Sequence, residues 1–431
     1  MAGEFPKVDL GPRTQKIGSG ATPRGGKEVY LADGPFALIR SQNVHDFQFR
    51  FEGLAYIDQG QADELRNVEV LPNDILLNIT GDSVARACIV DANALPARVN
   101  QHVSIIRADP NEFSQRFLLY ALLDPKMKAR LLAIAGAGAT RNALTKSNLE
   151  DLAVPQPDRD EQDRIAHILE TLDDKIALNR NLAATLEQMA RTLFNSWFVN
   201  FDPVYAKAEG RDSGLPMEIA ALFPNSLGDD GLPEGWRWQR ADEIALSIRS
   251  AVDPKSIPSD TPYVGLEHLP RKSLGLFEYG EAREVDSNKL AFQKGDLLFG
   301  KLRPYFHKVS IAPVDGIASS DIFVFRAKGV DNASYMYLAF SDERFVGSAS
   351  GASTGTRMPR AEWSHLAEQV FATDDGAVVE MFNEMARSYL DPISEKLAEC
   401  RDLEQLRDTL LPKLLSGELR VEEAADKVAA A

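Results

Sequence analysis

The stretch LEQMARTLFNSWF (Leu186–Phe198) recurs later in the chain as LEQLRDTLLPKLL (Leu403–Leu415). Five positions are identical at a shift of about 217 residues, and the apolar positions between them also match. The shift is half of the 431-residue chain, which is far longer than the repeat of a solenoid protein. The sequence therefore predicts one large unit that is used twice.

Each copy of this stretch belongs to a long apolar stripe with helical spacing. Apolar residues recur at steps of three, four and seven from Ile165 to Trp197, and again from Val379 to Leu414. Stripes sustained over about five heptads predict two long helices that pack on each other as a coiled coil. Pro392 predicts a kink or a restart in the second helix, and Pro412 with Gly417 predicts its end.

The segments that precede the helices repeat more weakly and have the pattern of mixed α/β structure. Leu71–Val90 resembles Phe292–Ala312, and Gln101–Ala108 resembles Ser320–Ala327. Short apolar runs predict strands, and two longer ones predict helices. The predicted strands are Ile75–Ile79, Ala87–Val90, Val103–Ile106, Leu297–Phe299, Val309–Ile311 and Ile322–Phe325, and the short helices are Ser114–Leu123 and Ser334–Phe340.

The predicted fold class is α+β, with two small mixed α/β domains in pseudo-twofold repeat, separated by a pair of long antiparallel coiled-coil helices. Composition shifts place six segments along the chain. They are a globular domain at 1–157, a long helix at 158–199, a linker rich in Pro, Gly and acids at 200–234, a second globular domain at 235–374, a second long helix at 375–421, and a tail at 422–431.

The chain is acidic, with a net charge of −16, but the excess is not evenly distributed. A net charge of −13 lies in residues 156–231 and 375–431. The two globular segments are therefore nearly neutral, and each could present a basic face to a polyanion. Only Cys88 and Cys400 are present, which excludes a disulfide framework. The N-terminus lacks a signal-peptide pattern, and no apolar run approaches about 18 residues. We expect a cytoplasmic protein with no membrane association.

Some motifs suggest catalysis but lack the context that catalysis needs. Asp202–Tyr205 (DPVY) nearly copies the Asp-Pro-Pro-Tyr motif of amino-methyltransferases, yet it lies in the linker and no glycine-rich AdoMet loop precedes it. Gly20–Lys27 misses the spacing of a phosphate-binding loop. The six histidines and two cysteines show no ligand spacing, so no metal site is predicted.

Five further stretches, spread over nearly the whole chain, match motifs of one known family. They are GSGATPRGG near the start, Leu144–Asn179, Phe194–Gly210 followed by LPEGWRW (Leu232–Trp238), KGDLLFGKLRPYFHKV in the second half, and LRDTLLPKLLSGELRV (Leu406–Val421). In this order and register the sequence resembles the specificity subunits of type I restriction-modification enzymes.

The resemblance implies a function in DNA recognition without catalysis. Each globular segment would be a target-recognition domain that reads one half of a bipartite sequence in double-stranded DNA. The helices would separate the two domains and dock two modification subunits, which carry the adenine-N6 methyltransferase chemistry. Two restriction or translocase subunits would join where a system has them. The chain itself would bind no cofactor, and AdoMet, ATP and Mg would belong to the partner subunits.

The candidate DNA-binding residues lie in polar and cationic loops that correspond between the two halves. Arg can bond guanine bidentately, Asn or Gln can bond adenine, and Lys can fix the register on phosphates. In the first half they are Arg40, Gln42, Asn43, Asn78, Thr80, Ser83, Arg86, Arg141 and Lys146; in the second they are His268, Arg271, Lys272, Lys301, Arg303, Tyr305, His307, Lys308, Thr354, Arg357 and Arg360.

Apolar residues of the two long stripes are the candidates for helix pairing or subunit docking, and they are Leu172, Ile176, Leu186, Leu193, Trp197, Phe198, Leu403, Leu410 and Leu414. Two other interpretations stay open. The acidic balance also suits a scaffold of the same architecture whose recognition loops have decayed and no longer bind DNA. An autonomous methyltransferase or nuclease would need motifs that the sequence lacks.

Overall fold

A computed structural model describes residues 4–137, 142–329, 332–351, 359–374 and 376–429. The chain divides into two compact units, Met1–Ile176 with Asp402–Ala431, and Ala177–Arg401. The first long helix, Arg159–Phe194, begins in the first unit and ends in the second. The second long helix, Ala377–Ser416, begins in the second unit and ends in the first.

Two four-stranded sheets form the globular part of the first unit. One is antiparallel throughout and has the order Thr14–Ser19, Val103–Ala108, Ile75–Asn78, Ala87–Ile89. The other has the order Ala55–Ile57, Phe36–Ile39, Ala97–Val99, Glu69–Val70, and its two central strands are parallel. The strand Ile75–Asn78 is buried on both faces, which explains its unbroken apolar pattern.

Shorter elements complete this unit. Two more strand pairs are Lys7–Asp9 with Ala153–Pro155 and Val44–His45 with Gln48–Phe49. The short helices are Gln59–Glu64, Gln115–Leu123, Pro125–Gly136, Lys146–Glu150 and Val421–Ala429.

The second unit repeats the strand order of the first and adds one edge strand, Ala251–Val252, to the sheet that contains the parallel pair. Its antiparallel sheet has the order Ala245–Ile248, Ile322–Ala327, Leu297–Gly300, Val309–Ile311. Its other sheet has the order Ala251–Val252, Lys289–Phe292, Gly316–Ala318, Pro262–Val264, Gly280–Glu281, and again the two corresponding strands, Gly316–Ala318 and Pro262–Val264, are parallel. The mixed α/β repeat predicted from the sequence is thus present as a repeated topology.

A strand pair and several helices complete the second unit. The strand pair is Arg237–Arg240 with Val370–Thr373. The helices are Asp202–Ala208, Met217–Ala220, Ala241–Ile244, Ala333–Phe340, Glu343–Gly351 and Trp363–Leu366.

An ion pair between an arginine and a buried aspartate recurs at the same place in both antiparallel sheets. In the first unit Arg107 donates to both carboxylate oxygens of Asp74, at 2.7 and 2.6 Å. In the second unit Arg326 donates to both oxygens of Asp296, each at 2.7 Å. Each pair joins the two sequence stretches that repeat weakly, so the weak similarity reflects a shared structural requirement.

The two long helices pack against each other within each unit. In the first unit Arg407 of the second helix bonds Asp173 of the first helix at 2.8 Å. In the second unit the rings of Phe194 and Phe198 lie 5.9 and 5.0 Å from that of Phe382. The earlier part of the first helix therefore pairs with the later part of the second, which is the order of an antiparallel pair.

Two features differ from the sequence-based expectation. Pro392 does not restart its helix, which continues for 40 residues before Gly417 ends it at φ 72°, and a kink at Pro392 stays a prediction. The predicted linker is folded, because its scattered apolar side chains Val204, Phe223 and Leu232 are buried in the core of the second unit. Composition alone did not reveal these anchors. The boundaries of the six segments stay a prediction.

Within the described part of the chain, no helix combines the length and apolar character that crossing a bilayer requires.

Candidate nucleic-acid interface

Three backbone hydrogen bonds bring the candidate loops of the first unit together. At the end of the strand Ile75–Asn78, the Asn78 N–H donates to the Arg86 carbonyl at 2.8 Å. The next N–H, from Ile79, donates to His102 at 2.9 Å, and the Ile79 carbonyl accepts from Leu144 at 2.8 Å. Loops that are distant in sequence therefore meet at one edge of the sheet.

The second unit contains the same three bonds in the same order. The Gly300 N–H donates to the Lys308 carbonyl, and the Lys301 N–H donates to Asp321, both at 2.8 Å. The Lys301 carbonyl accepts from Ala361 at 2.8 Å. We call this shared arrangement of three backbone hydrogen bonds the loop frame. It positions the loop 301–308 and the segment 359–361 as its counterpart positions 79–86 and 142–144.

The loop 40–43 lies beside the frame of the first unit. Gln42 donates through its side-chain amide to the Gly53 carbonyl at 2.9 Å, and the guanidinium of Arg40 donates to the same oxygen. The Arg40 guanidinium also lies 5.2 Å from the ring centre of Tyr30. Gln42 is exposed and Arg40 is half-buried, so both can reach a ligand by exchanging these contacts.

Two asparagines predicted to contact DNA are instead buried. Asn78 donates to the Ser41 carbonyl at 2.9 Å and to the Ser83 hydroxyl at 3.2 Å. Asn43 donates to the Arg50 carbonyl at 3.0 Å. Each amide joins two loops and does not project from the surface. The two asparagines therefore support the surface loops of the first unit but are not exposed on them.

The other described candidates of the first unit lie on loops at the edge of the frame. Thr80 is hydrogen-bonded through its hydroxyl to Nδ1 of His102 at 2.6 Å. Ser83 and Arg86 are half-buried on the loop after the strand. Lys146 is exposed at the start of the helix Lys146–Glu150 and pairs with Glu150 at 3.4 Å.

Sequence reasoning missed three polar residues beside this edge. His102 bonds Thr80, and Nε2 of His102 lies 3.0 Å from the amide nitrogen of Gln101. Arg50 is exposed near His45, whose pKa is lowered first by burial and then by the charges of Arg50 and Arg86. Gln101 and His102 begin a stretch that repeats in the second half, and that position was the available signal.

The second unit presents more exposed cations. Arg303, Arg271 and Arg360 are exposed, and the side chain of Tyr305 is 56% exposed. The Arg271 guanidinium stacks over the ring of Phe306 at 4.2 Å. This contact holds the cation beside Phe306 and the neighbouring ring of Tyr305. Arg360 forms an ion pair with Asp321 next to the frame.

Two lysines of the loop 301–308 are partly desolvated. Burial lowers the pKa of Lys301 to about 8, and the charges of Arg360 and Arg249 act in the same direction. Its ammonium lies 4.5 Å from the ring centre of Phe323 and donates to the Ser320 carbonyl at 2.8 Å. Burial also lowers the pKa of Lys308, whose ammonium donates to the Leu266 carbonyl.

His307 does not face solvent, in contrast to its predicted role. It is buried, and its Nε2 donates to the Ser341 carbonyl at 3.0 Å. Lys272 is exposed, and its backbone N–H donates to the His307 carbonyl at 2.8 Å. His268 is half-buried and accepts the Gly265 N–H on Nδ1 at 3.0 Å. Arg141, Thr354 and Arg357 lie outside the described residues.

Most residues predicted for helix pairing or docking are buried within the chain. Leu186 and Leu193 are half-buried against the core of the second unit. The buried residues are Leu172, Ile176, Trp197, Phe198, Leu403, Leu410 and Leu414. Their position favours pairing of the helices and leaves little of them for another subunit.

A different face of the first long helix is exposed and apolar. Leu178, Leu182 and Met189 are 66%, 41% and 44% exposed, and their spacing places them on one side of the helix. Farther along this side, a groove is lined by Met189, Leu193, Leu215, Tyr389 and neighbouring residues. We call Leu178, Leu182 and Met189 the exposed stripe.

Comparisons with known proteins agree on one family. Residues 58–188 match the domain described as type I restriction modification DNA specificity domain. The type I restriction enzyme HindI specificity subunit of Haemophilus influenzae is 33% identical over 418 residues, which cover 83% of this chain and 90% of that protein. The MjaIX specificity subunit of Methanocaldococcus jannaschii is 25% identical, with 95% and 92% covered.

One solved structure supports the fold. The S subunit of a type I restriction-modification system from M. genitalium aligns with a TM-score of 0.53 at 16% sequence identity. The alignment covers 96% of each chain.

Proposed function

Because the chain belongs to the type I restriction-modification specificity subunits, which recognise the DNA target and are not catalytic, we propose that it reads a bipartite sequence. One half would be read by the loops around the first-unit frame and the other half by those around the second. The chain would thereby direct adenine-N6 methylation, and cleavage where restriction subunits are present, to that sequence. Such work requires access to DNA, so we place the protein in the cytoplasm.

The observation that carries this proposal is the loop frame, which is conserved between the units while its side chains differ. The same three backbone bonds position the loop with Thr80 and Arg86 in one unit and the loop with Leu302 and Lys308 in the other. Because the frame is repeated, each unit can present its loops to a DNA groove in the same way. Different side chains then read different bases, because the major groove presents a distinct donor and acceptor pattern for each base pair.

The charge distribution supports DNA contact despite the acidic total. Exposed cations lie on the loops that meet at the frame of the second unit. They are Arg303, Arg271, Lys272, which also pairs with Glu343, and Arg360, which also pairs with Asp321. Such cations can bind phosphates and displace counterions, which is the main source of affinity for DNA. Most of the acidic excess lies in the segments 156–231 and 375–431, which include both long helices.

The partners that we propose are two modification subunits, with two restriction or translocase subunits in systems that have them. The exposed stripe is a suitable docking surface, since an exposed apolar helix face gains stability when a partner covers it. At the repeat shift of about 217 residues, Leu178 and Leu182 correspond to Glu395 and Glu399, so the two docking contacts would differ. AdoMet, ATP and Mg would be bound by these partners.

The test uses the purified chain in complex with its modification subunit. Selection from a pool of random duplexes should yield one motif with two specified parts and a gap of fixed length. Affinity for that motif should fall steeply as salt rises, because several phosphates are neutralised. The variant Arg303→Ala with Arg360→Ala should weaken binding and relax specificity in one part only.

Other outcomes of the selection lead to other conclusions. A folded complex that enriches no motif would contradict the proposal and favour an acidic scaffold with decayed loops. Enrichment of a single continuous motif would contradict the bipartite assignment. Retained binding by the modification subunit alone would show that the chain does not supply the specificity.

A further inference from the structure

The first long helix bonds directly to the recognition loops of the second unit through two charged side chains. Glu187 accepts hydrogen bonds on Oε2 from the Ser273 hydroxyl at 3.0 Å and the Leu274 N–H at 2.9 Å. Arg191 pairs with the other oxygen of Glu187 at 2.8 Å. The same guanidinium donates to the carbonyl and the hydroxyl of Ser341, both at 3.1 Å.

These bonds lead to the loops that carry the candidate DNA contacts. The Ser341 carbonyl accepts from Nε2 of His307, and the His307 carbonyl accepts the N–H of Lys272. The Ser310 hydroxyl donates to the Ser273 carbonyl at 3.1 Å. The loops 268–274 and 301–308 are therefore connected to each other and to the helix by one continuous set of hydrogen bonds.

The backbone of these loops is strained in three places. Lys272, Arg303 and His307 have φ of 55°, 51° and 51°, a region that side-chain-bearing residues rarely occupy. Such conformations persist only where surrounding contacts hold them, and they often occur at functional sites. Glu187 is 6% exposed, so its contacts form in a poorly solvated place where they are strong.

In the first unit the other long helix contacts a loop through a different residue, Arg407. Arg407 bonds Asp173, which also accepts from the Tyr120 hydroxyl at 2.6 Å. The Arg407 guanidinium lies 3.7 Å from the ring centre of Phe47, at the tip of the hairpin that follows the loop 40–43. Phe47 also has a positive φ, of 62°.

We propose that Glu187 with Arg191, and Arg407, are positioning residues for DNA recognition. Each of them lies on a long helix and fixes the recognition loops of one unit. That helix follows the globular segment of the other unit in the sequence. Glu187 and Arg191 follow the first globular segment and position the loops of the second unit. Arg407 follows the second segment and positions the loops of the first. This inference rests on the proposed function, since it concerns how the two half-sites are read.

The experiment measures discrimination in the two half-sites separately. The complex with the modification subunit is titrated with duplexes that carry single base-pair substitutions throughout the target. Arg303→Ala first identifies the half-site that the second unit reads. Glu187→Ala and Arg191→Ala should then lower discrimination in that half-site by about tenfold and leave the other unchanged. Arg407→Ala should do the reverse.

Matched variants separate positioning from general damage. Glu380→Ala removes an exposed carboxylate from the second long helix within the second unit, and Arg420→Ala removes an exposed cation near Arg407 in sequence; neither should change discrimination. Glu187→Gln keeps an oxygen that can accept from Ser273 and Leu274, so it should retain most of the discrimination. The lysine of Arg191→Lys cannot bond Glu187 and Ser341 in the same forked geometry, so this variant should lose part of the discrimination.

The outcomes distinguish this inference from the proposed function. If the unmodified complex recognises no two-part motif, the proposed function fails. If it does, equal losses in both half-sites, or none in any folded variant, overturn the positioning role. Should an alanine variant fail to fold, the comparison of Glu187→Gln with Arg191→Lys decides, since only the lysine variant is expected to lose discrimination in one half-site.

Discussion

At the scale of single residues, Asp296 explains why the stretches around it and around Arg326 resemble their counterparts in the first half of the chain. Its buried carboxylate accepts two bonds from Arg326 and one from the Gln293 N–H at 2.7 Å. We expect Asp296→Ala to lower the stability of the second unit by about 2 kcal/mol, because charged hydrogen bonds are lost in a desolvated place.

The stability of the second unit can be measured separately from that of the first. All four tryptophans lie within residues 177–401, so the intrinsic fluorescence of tryptophan reports on the unfolding of the second unit. The control is Asp286→Ala, whose side chain is 92% exposed and should contribute less than about 0.5 kcal/mol. Equal denaturation midpoints for the two variants would refute the role of the Arg326 pair.

We expect Lys301 to give DNA binding a dependence on pH. Its pKa is lowered to about 8, so the ammonium is mostly charged at pH 7 and loses its proton as the pH rises through about 8. Arg360, Arg249 and Asp321 also act on this ammonium, and the first two favour the loss of the proton. We expect affinity for DNA to fall by about fivefold between pH 7 and pH 9 through this group.

The Lys301→Arg variant provides the control, because a guanidinium stays charged over this range. Its affinity, measured by fluorescence anisotropy at fixed ionic strength, should change little between the two pH values. The same slope in the variant and the unmodified complex would mean that another group causes the change, or that Lys301 does not approach phosphate.

Residue roles were only partly predictable from the sequence. Residue type marked Arg271, Arg303 and Tyr305, and the structure places their side chains on the surface near the second frame. Residue type could not show that Asn78 and His307 point inward, because that depends on which carbonyl groups the loops leave unpaired. The roles of all these residues in DNA contact stay predictions.

At the scale of elements, the exposed stripe on the first long helix is the feature that a partner would cover. We expect the double variant Leu178→Ser, Leu182→Ser to weaken binding of the modification subunit by about tenfold or more, because apolar surface is no longer removed from water. Isothermal titration calorimetry of the chain with the modification subunit measures the loss.

Leu132 offers a matched control on another helix. It is 45% exposed on Pro125–Gly136, close to the 41% of Leu182, so Leu132→Ser is compared with Leu182→Ser alone, which removes a similar apolar surface. The Leu132→Ser variant should bind the modification subunit normally. If the two variants behave alike, the exposed stripe is not the docking surface.

Periodicity predicted the elements better than composition did. The two long helices and the central strands of both antiparallel sheets were visible because each has a regular apolar pattern. The segment 200–234 was missed as folded structure, since its anchors Val204, Phe223 and Leu232 are too widely spaced to form a pattern. Pro392 is tolerated because the surrounding stripe, which includes the buried Leu390 and Ile393, stays packed in the core.

At the scale of the whole molecule, the sequence repeat predicted a duplicated topology, and the strand orders of the two units confirm it. The order of pairing between the long helices follows from contacts within each unit. The two half-sites could not be predicted, because base preference depends on loop geometry and on the shape of the DNA as well as on residue type.

If the paired helices set the spacing of the half-sites, their length should determine the gap in the target. Deleting one heptad from each long helix removes about 10 Å of helix, which corresponds to about three base pairs. The selected motif should keep both half-site sequences and have a shorter gap. An unchanged gap in a folded variant would show that the helices are not the ruler.

The reading of a two-part target is tested most directly by single-molecule mapping of methylated adenine in cells. The chain is expressed with its modification subunit, and the DNA is compared with that of cells lacking the chain. We expect N6-methyladenine in one gapped motif with two specified parts, present only when the chain is present. A motif that persists without the chain, or no new motif despite an assembled complex, would contradict the proposed function.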